Sequence, residues 1–576
     1  MAATVTIASG ATWQEVAADR QKYRDATLAA IKPSIPDIPS PSLNTISIAK
    51  DILTKEEIKI TESKVEELAP QLAQGELSAV TVVEAFLRRA ALAQKLTNCI
   101  TELLPSRALE RAKYLDDYLK TNGKPVGPLH GIPISVKEHI GMKDLDNNAG
   151  FIGWVGNIAP QDAYILQIFW NAGAVFHART TQPQTLMHLE TSSNLYGSVE
   201  RNQERLYRLT DRRVTTNPYN SLLTSGGSSG GEGALVGFKG SCLGIGTDIG
   251  GSIRSPAANC GVYGMKPTAL RLPVLGLLGP AGGQEQIVAT IGPLSTSLEG
   301  CKLFIKTLLD AKPWLKEPTL MPFPWKQEDF FKGKKLKVGV LWDDEVVKPH
   351  PPVTRALKQM VDKLKSTGNV EIVEWKPYKH DLAWEIIANL YFCDGGKEES
   401  DLIDVSGEPW RPLSKHILKS RHVETHTIPS MYKATIKRDA YRVEYAEHWN
   451  STATSAGPNG ELEGAVDVIL SPAGPGVAPK IDTAKWWGYL SQWNVLNYPA
   501  LIFPVDKVDV VKDGGTQSHS PRNETDKENW ELWQKYGAEG YKDAPISLQL
   551  VGRGFEDEKV IQAFEIIQKE TGVPFV

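Results

Sequence analysis

Cysteine is scarce in this chain, and no two cysteines form a C-x-x-C pair. Five occur among 576 residues, an odd number with wide spacing. They are Cys99, Cys242, Cys260, Cys301 and Cys393. A disulfide framework needs paired cysteines and a zinc site needs closely spaced ones, so the pattern favours neither. It is typical of a reducing compartment, and we expect a cytoplasmic protein.

Long apolar segments and a large excess of one charge are also missing. No run approaches the ~20 apolar residues that cross a bilayer, and Trp13, Glu15 and Asp19 interrupt any secretory leader. The formal net charge of −4 lacks the basic excess of a nucleic-acid-binding protein. Neither H-E-x-x-H nor G-x-x-x-x-G-K-S/T occurs, so we expect no metal and no cofactor. A cytosolic enzyme is the default interpretation.

Strand-like and helical segments alternate along the chain after a polar start. The first fifty residues carry four prolines and predict an N-terminal arm (1–50) lying over a single domain (51–576). Ser78 and Ser106 are suitable N-caps for two helices. Strand-like runs are predicted at 131–137, 174–178, 243–247, 336–342, 370–375, 466–470 and 500–505. Such alternation predicts an α/β protein with a largely parallel or mixed sheet.

Glycine and serine are concentrated in two neighbouring segments, 226–233 (GGSSGGEG) and 247–252 (TDIGGS). Residues without a Cβ let backbone N–H groups approach a bound atom closely. A single glycine-serine cluster is more often an ordinary loop. Here the second segment leaves the N–H groups of residues 249–252 free to converge on one oxygen, which predicts an oxyanion hole. Ser252 stands where a nucleophile would be.

A serine hydroxyl needs a base to take its proton, and neither segment contains a histidine. Lys137, at the end of the strand predicted at 131–137, is the alternative. Its amine must be neutral to act, and the ordinary pKa of about 10.4 opposes that. Burial can lower the pKa by about 3–5 units. Taken alone, Lys137 would be read as a solvated surface charge.

Two other motifs compete for the glycine-rich region. Residues 227–231 satisfy G-x-S-x-G, the nucleophile turn of α/β-hydrolases, but no later acid and histidine stand in suitable contexts. Residues 244–250 loosely match a dinucleotide-binding loop. In that reading the third glycine is displaced, and no suitable acidic residue follows at a distance of ~20 residues. We favour neither interpretation.

Taken together, residues 131–137, the GGSSGGEG segment and the run TDIGGSIRSPAANCGVYGMKPT (247–268) resemble the amidase signature family of serine hydrolases. The long central run is far more specific than a three-residue pattern, and the resemblance extends over nearly the whole chain. The flanking segments GPLHG (127–131) and GEP (407–409) look most like the fungal acetamidase or general amidase branch. The resemblance implies an amidase signature fold, with α/β/α layers around a large mixed sheet.

The resemblance also implies a Ser-Ser-Lys triad that hydrolyses small carboxylic amides. Ser252 would be acylated, Ser228 would relay the proton, and Lys137 would be the base. Leu186 matches a segment that lines the substrate channel in relatives, although a leucine there could equally belong to the core. The implied oxyanion donors are the N–H groups of Ile249, Gly250, Gly251 and Ser252. Residues expected to support the site geometry are Ser229, Asp248 and Arg254.

The expected partner is a small amide substrate, and relatives are often homodimers. Two other functions remain open from the sequence. One is a glutamine-amidotransferase subunit, which would use the same triad to release ammonia for a partner, although the acetamidase-like flanks argue against it. The other is a pseudoenzyme that keeps the fold but has lost turnover.

Residues 198–213 depart from the family pattern. This proline-free block lengthens the connection that leads to the first glycine-rich segment, and eight of its sixteen residues are charged. A surface loop can be lengthened at little entropic cost, which is one explanation. Our hypothesis is instead that the block is a short intron translated by a faulty gene model, and sequencing of the spliced transcript tests it. A genuine insertion could displace Ser228 and impair turnover.

Overall fold

The computed structural model describes residues 10–38, 41–196, 214–458, 460, 462–515 and 517–574. Thirteen strands lie within these ranges: β1 (Ile100–Leu103), β2 (Pro133–Lys137), β3 (Val175–Thr180), β4 (Leu243–Asp248), β5 (Tyr263–Lys266), β6 (Thr290–Ser295), β7 (Leu336–Val340), β8 (Val370–Glu374), β9 (Ser455–Ala456), β10 (Leu462–Glu463), β11 (Val468–Pro472), β12 (Ala500–Lys507) and β13 (Pro545–Val551).

Eighteen α-helices are found in the same ranges: α1 (Trp13–Ala29), α2 (Ala49–Ile52), α3 (Lys55–Glu62), α4 (Val65–Gln74), α5 (Ala79–Thr97), α6 (Pro105–Asn122), α7 (Tyr164–Asn171), α8 (Gly230–Gly237), α9 (Arg254–Asn259), α10 (Leu298–Asp310), α11 (Pro351–Thr367), α12 (His380–Tyr391), α13 (Lys397–Ser406), α14 (Pro412–Leu418), α15 (Ile428–Asn450), α16 (Gly488–Val495), α17 (Glu524–Gly540) and α18 (Asp557–Thr571).

Eleven of the strands form one sheet in the order β1-β3-β2-β4-β6-β5-β12-β13-β11-β7-β8. Strand β2 is parallel to both β3 and β4, whereas β4 is antiparallel to β6 and β12 is antiparallel to β13. The sheet is therefore mixed, and the predicted α/β class is confirmed. All seven strand-like runs contain or overlap an observed strand.

Helices cover both faces of this sheet, because successive side chains of a strand point to opposite sides. On β11, Val468 and Leu470 belong to the large core that includes residues of α5, α10, α11 and α18. Ile469, between them, belongs to a second core with residues of α12, α15 and α16. The same alternation appears on β12, where Leu501 and Phe503 face the first core. The layered α/β/α architecture follows from this alternation.

The two predicted helix starts had different outcomes. Ser78 caps α5, and its side chain accepts a hydrogen bond from the Thr81 N–H at 3.0 Å, so this prediction is confirmed. Ser106 is not a cap, because α6 begins one residue earlier at Pro105. Proline is favoured at the first helical position since its missing N–H would have no partner within the helix.

The first fifty residues contain α1, which packs against the rest of the chain. The Arg20 guanidinium lies 3.6 Å from the carboxylate of Glu102 in the edge strand β1. Arg24 donates to the Tyr196 carbonyl at 3.1 Å. Ile31 and Ile35 are buried in the large core. Because these contacts tie the arm to the body, we propose that the chain folds as one unit.

Candidate active site

Two parallel strands bring the predicted lysine and the second glycine-rich segment together. Ile134 of β2 pairs with Leu243 of β4, and Val136 pairs with Ile245. The carboxyl ends of both strands therefore lie at the same edge of the sheet. Lys137 ends β2 and Asp248 ends β4.

Lys137 is completely buried, and its ammonium form is disfavoured. Its Nζ lies 2.7 Å from Ser228 Oγ and 3.0 Å from Thr247 Oγ1. Burial lowers the pKa of Lys137 to about 7, although the Asp248 and Glu232 carboxyls oppose the shift. Removing the ammonium form from water costs more free energy than its attraction to these two carboxyls contributes. Near neutral pH a large share of Lys137 is therefore uncharged and able to accept a proton.

The first glycine-rich segment places Ser228 directly before α8. The Gly227–Ser228 peptide bond is cis. Behind it, the Ser229 hydroxyl lies 3.3 Å from both the backbone nitrogen and the carbonyl oxygen of Thr247. The Ser229 N–H donates to the Ser252 carbonyl at 3.1 Å. Ser229 thus joins the two glycine-rich segments, and its supporting role stays a prediction.

The turn after β4 is shaped by the Asp248 carboxylate. Gly251 has a φ of +126°, a conformation that residues with a Cβ rarely adopt, and its N–H donates to Asp248 at 2.9 Å. The Ile253 N–H donates to the same carboxylate at 3.1 Å. The expectation of four converging oxyanion donors is therefore wrong at Gly251, because the carboxylate has taken its hydrogen. Within the described residues, the backbone N–H groups of Ile249, Gly250 and Ser252 donate no hydrogen bond.

The Arg254 side chain stabilises this turn through Asp248. Its fully buried guanidinium donates to Asp248 at 3.0 and 3.1 Å, which holds the pKa of that carboxyl well below its usual range. The same guanidinium donates to Asn494 at 2.6 Å and to Gln549 at 3.0 Å. Paired charges with further hydrogen bonds are the form in which buried ions are tolerated. Asp248 and Arg254 thus form a buried ion pair beneath the turn, and their supporting role in the site stays a prediction.

Two polar residues next to the lysine were not predicted as part of the site. Thr247 contacts Lys137 directly, and His139 contacts Thr247, with its Nε2 2.9 Å from the threonine Oγ1. Both residues stand inside or beside the motifs that mark the site. Sequence position gave no sign of their contact, because it depends on the register between β2 and β4.

Leu186 is half-buried and packs at the edge of a small apolar cluster that contains Phe151 and Trp154. This packing leaves its predicted role in the substrate channel as a prediction. A separate cavity of about 380 Å³ begins close to the turn that follows β4. Ser255, one helical turn after Ser252, lines this cavity, as does Leu490, which lies where a side chain on Gly251 would point. Lys137, Ser228 and Ser252 do not line it.

The predicted insertion, 198–213, lies outside the described residues. The chain on either side of it is described, and the two sides meet. Ser192 and Val214 form an antiparallel bridge, and the Thr215 N–H donates to the Thr191 carbonyl at 2.8 Å. The chain can therefore be shortened here without moving the residues that lead to Ser228.

Deletion of residues 198–213 is expected to leave the fold and the site intact. The bridge between Ser192 and Val214 already holds the two ends together, and shortening a loop changes closure entropy little. We expect a Tm within about 3 °C of the parent, since effects below 1 kcal/mol shift Tm only by a few degrees. Calorimetry and hydrolysis of a primary amide check this. A variant that folds but hydrolyses nothing would show that the block is needed for activity.

No metal-binding group of histidine, cysteine, aspartate or glutamate side chains occurs in the described part of the chain. No helix described here is long and apolar enough to span a bilayer.

Comparisons with known proteins agree with the geometry. The amidase family model matches residues 81–561. An acetamidase of Emericella nidulans is 34% identical over 97% of this chain and 98% of its own length. An acetamidase of Aspergillus oryzae is 33% identical over 98% of this chain and 99% of its own. A solved structure of a fatty acid amide hydrolase superposes with a TM-score of 0.87 at 34% identity, covering 98% of this chain and 96% of that one.

The family match spans most of the chain, so this protein belongs to the amidase family, with the amidase signature fold. It is an amide-hydrolysing enzyme.

Proposed function

We propose that the chain hydrolyses carboxylic amides through an acyl-enzyme on Ser252, with Ser228 as proton relay and Lys137 as base. The observation that carries the proposal is the 2.7 Å contact between Ser228 Oγ and the buried Lys137 amine, whose pKa is lowered to about 7. A base with a pKa near the working pH is the most effective one. No cofactor takes part in this scheme.

The steps balance without any other reactant. Ser252 Oγ attacks the amide carbonyl as its proton passes to Ser228, while the Ser228 proton passes to Lys137. The carbonyl oxygen becomes an oxyanion, which the N–H groups of Ile249, Gly250 and Ser252 can receive. The C–N bond then breaks as the relay returns a proton to the departing nitrogen. Water attacks the acyl-enzyme and loses a proton to the same relay. The relay returns that proton to Ser252 Oγ as the acyl C–O bond breaks, and the acid leaves and ionises to the carboxylate.

We propose that the acyl group is apolar, either a short aliphatic chain or an aromatic ring. The support for a short aliphatic group comes from the relatives, because two of them are named acetamidases. The fatty acid amide hydrolase is named for a longer aliphatic acyl group. The cavity of about 380 Å³ is not assigned to the acyl group, because Ser252 does not line it.

Ammonia release from a series of primary amides tests the proposal. We expect the purified chain to release ammonia from acetamide, hexanamide and benzamide. Ala258→Phe narrows the cavity of about 380 Å³ and tests whether the acyl group extends into it. If it does, kcat/KM for hexanamide relative to acetamide should fall by about tenfold, the value of one or two lost methylene contacts. An unchanged ratio would place the acyl group elsewhere.

The same assay separates the other two functions. A glutamine-amidotransferase subunit would release ammonia from glutamine and from none of the apolar amides. A pseudoenzyme would release none from any of them. The expected homodimer stays a prediction, which light scattering of the purified chain checks. We also propose a cytoplasmic location, because all five cysteines are free and four are buried.

A further inference from the structure

Thr247 and His139 form a chain of contacts that ends at the Lys137 amine. His139 Nδ1 lies 2.7 Å from the Leu278 carbonyl oxygen, and Nε2 lies 2.9 Å from Thr247 Oγ1. Thr247 Oγ1 in turn lies 3.0 Å from Lys137 Nζ. The imidazole is buried. Nothing in the proposed proton relay uses these two side chains, so their arrangement needs a separate explanation.

The Leu278 carbonyl determines which imidazole nitrogen carries the hydrogen. A carbonyl oxygen can only accept, so Nδ1 must donate to it. The ring is neutral, because burial above all, together with the charged form of Lys137 and the Arg179 cation, lowers the pKa of His139 to about 3. A neutral imidazole has one N–H, which leaves Nε2 as an acceptor. Its partner, the Thr247 hydroxyl, must therefore donate to it.

A hydroxyl has a single hydrogen, and here that hydrogen is committed to His139. Toward Lys137, the Thr247 oxygen can then only accept. The neutral amine has two hydrogens and one lone pair. If one hydrogen points to Thr247, the lone pair is available for the Ser228 hydroxyl, 2.7 Å away. That is the direction in which a proton must move from Ser228 to Lys137.

We propose that His139 is a positioning residue, which keeps the Thr247 hydrogen away from Lys137 so that the lysine lone pair faces Ser228. Without the imidazole, the Thr247 hydroxyl would turn and donate to Nζ. Lys137 would then donate to Ser228 and could not accept its proton. This inference rests on the proposed role of Lys137 as base.

The test is a double-mutant cycle on kcat for benzamide. His139→Phe is expected to lower kcat about tenfold, which is less than the rate enhancement of about 10²–10⁴-fold that a positioned base usually contributes. KM should stay within about twofold of the parent. The double variant His139→Phe, Thr247→Val lacks the hydroxyl that blocks the lone pair. It should be several-fold more active than His139→Phe alone. His139→Gln, which retains an acceptor for Thr247, should stay within about threefold of the parent.

A purely structural role predicts the opposite result, because losing a second buried polar group would lower kcat further. A double variant no more active than His139→Phe would overturn the inference, as would a His139→Gln variant as slow as His139→Phe. His139→Leu repeats the cycle if the phenylalanine variant does not fold. His177 is the matched control, since it is also buried and, among the described residues, its ring nitrogens lie within hydrogen-bond distance only of the backbone carbonyls of Ile134 and Gly240. His177→Phe should lower Tm while kcat stays unchanged.

Lys137→Ala separates this inference from the proposed function. If Lys137→Ala keeps parental activity, the base assignment fails and the inference fails with it. If Lys137→Ala is inactive but the double variant shows no recovery, only the role of His139 is wrong.

Discussion

Ser252→Ala is expected to lower kcat for amide hydrolysis by about 10⁴-fold or more, because no other group can form the acyl-enzyme. A fluorophosphonate probe, which reacts with activated serines, should label the parent chain and leave this variant unlabelled. Mass spectrometry of the labelled peptide should place the modification on Ser252. The loss should fall on kcat, since the Ser252 hydroxyl takes part in the chemical step.

Ser241→Ala is the control for this experiment. Ser241 is also fully buried, but it lies before β4, where its hydroxyl donates to the Leu243 carbonyl at 2.8 Å. This variant should be labelled and active like the parent. Retention of labelling in Ser252→Ala would rule out Ser252 as the nucleophile. Labelling of Ser228 instead would show that Ser228 is the nucleophile and Ser252 the proton relay.

Lys137→Met is expected to lower kcat about 10²–10⁴-fold, the usual contribution of a positioned base. In the parent, kcat/KM should fall tenfold per pH unit below about 7, because the protonated amine cannot accept a hydrogen from Ser228. The variant should lose this pH dependence. A pH–rate profile between pH 5 and 9 for both proteins measures the effect. An unchanged acid limb would show that another group titrates.

The same substitution should raise stability at pH 7. The pKa of Lys137 is about 7 in the folded chain, against the ordinary 10.5 when it is unfolded. Between these values the unfolded state binds the additional proton, so the burial penalty is complete below about 7 and disappears as pH rises towards 10.5. Methionine carries no such penalty. A higher Tm at pH 7 with lost activity would show that the lysine is retained for chemistry.

Glu232 is the control for the pH profile. Burial raises the pKa of Glu232 to about 8, and the carboxyl receives hydrogen bonds from Ser135 at 2.5 Å and Thr180 at 2.7 Å. Because it also faces Lys137, its titration could be mistaken for that of the amine. Glu232→Gln resembles the protonated form and should keep the acid limb near pH 7.

The parts of the site that lie within short sequence motifs could be predicted. The strand that ends in Lys137 and the two glycine-rich segments are each short contiguous motifs, and their joint resemblance to the amidase signature family singled them out. Ser106 was predicted as a helix cap because it is a good capping residue, yet Pro105 starts the helix and decides the boundary. Here the fixed φ of proline outweighed the capping preference.

The rest depended on residues far apart in sequence. The loss of the Gly251 N–H as an oxyanion donor follows from the position of the Asp248 carboxylate, which Arg254 and Asn494 fix. The role of Thr247 depends on its contact with His139, which only the pairing of β2 with β4 creates. Strand β13 was also not predicted.

The hydrogen bonds of Arg254 make activity depend on residues that are translated late. Two of its acceptors, Asn494 and Gln549, lie in the last fifth of the chain, and Gln549 is carried by a central strand of the sheet. A ribosome-bound chain already contains both serines and the lysine long before it contains these acceptors. The nascent enzyme should therefore remain inert until Asn494 and Gln549 have been synthesised and have folded onto Arg254.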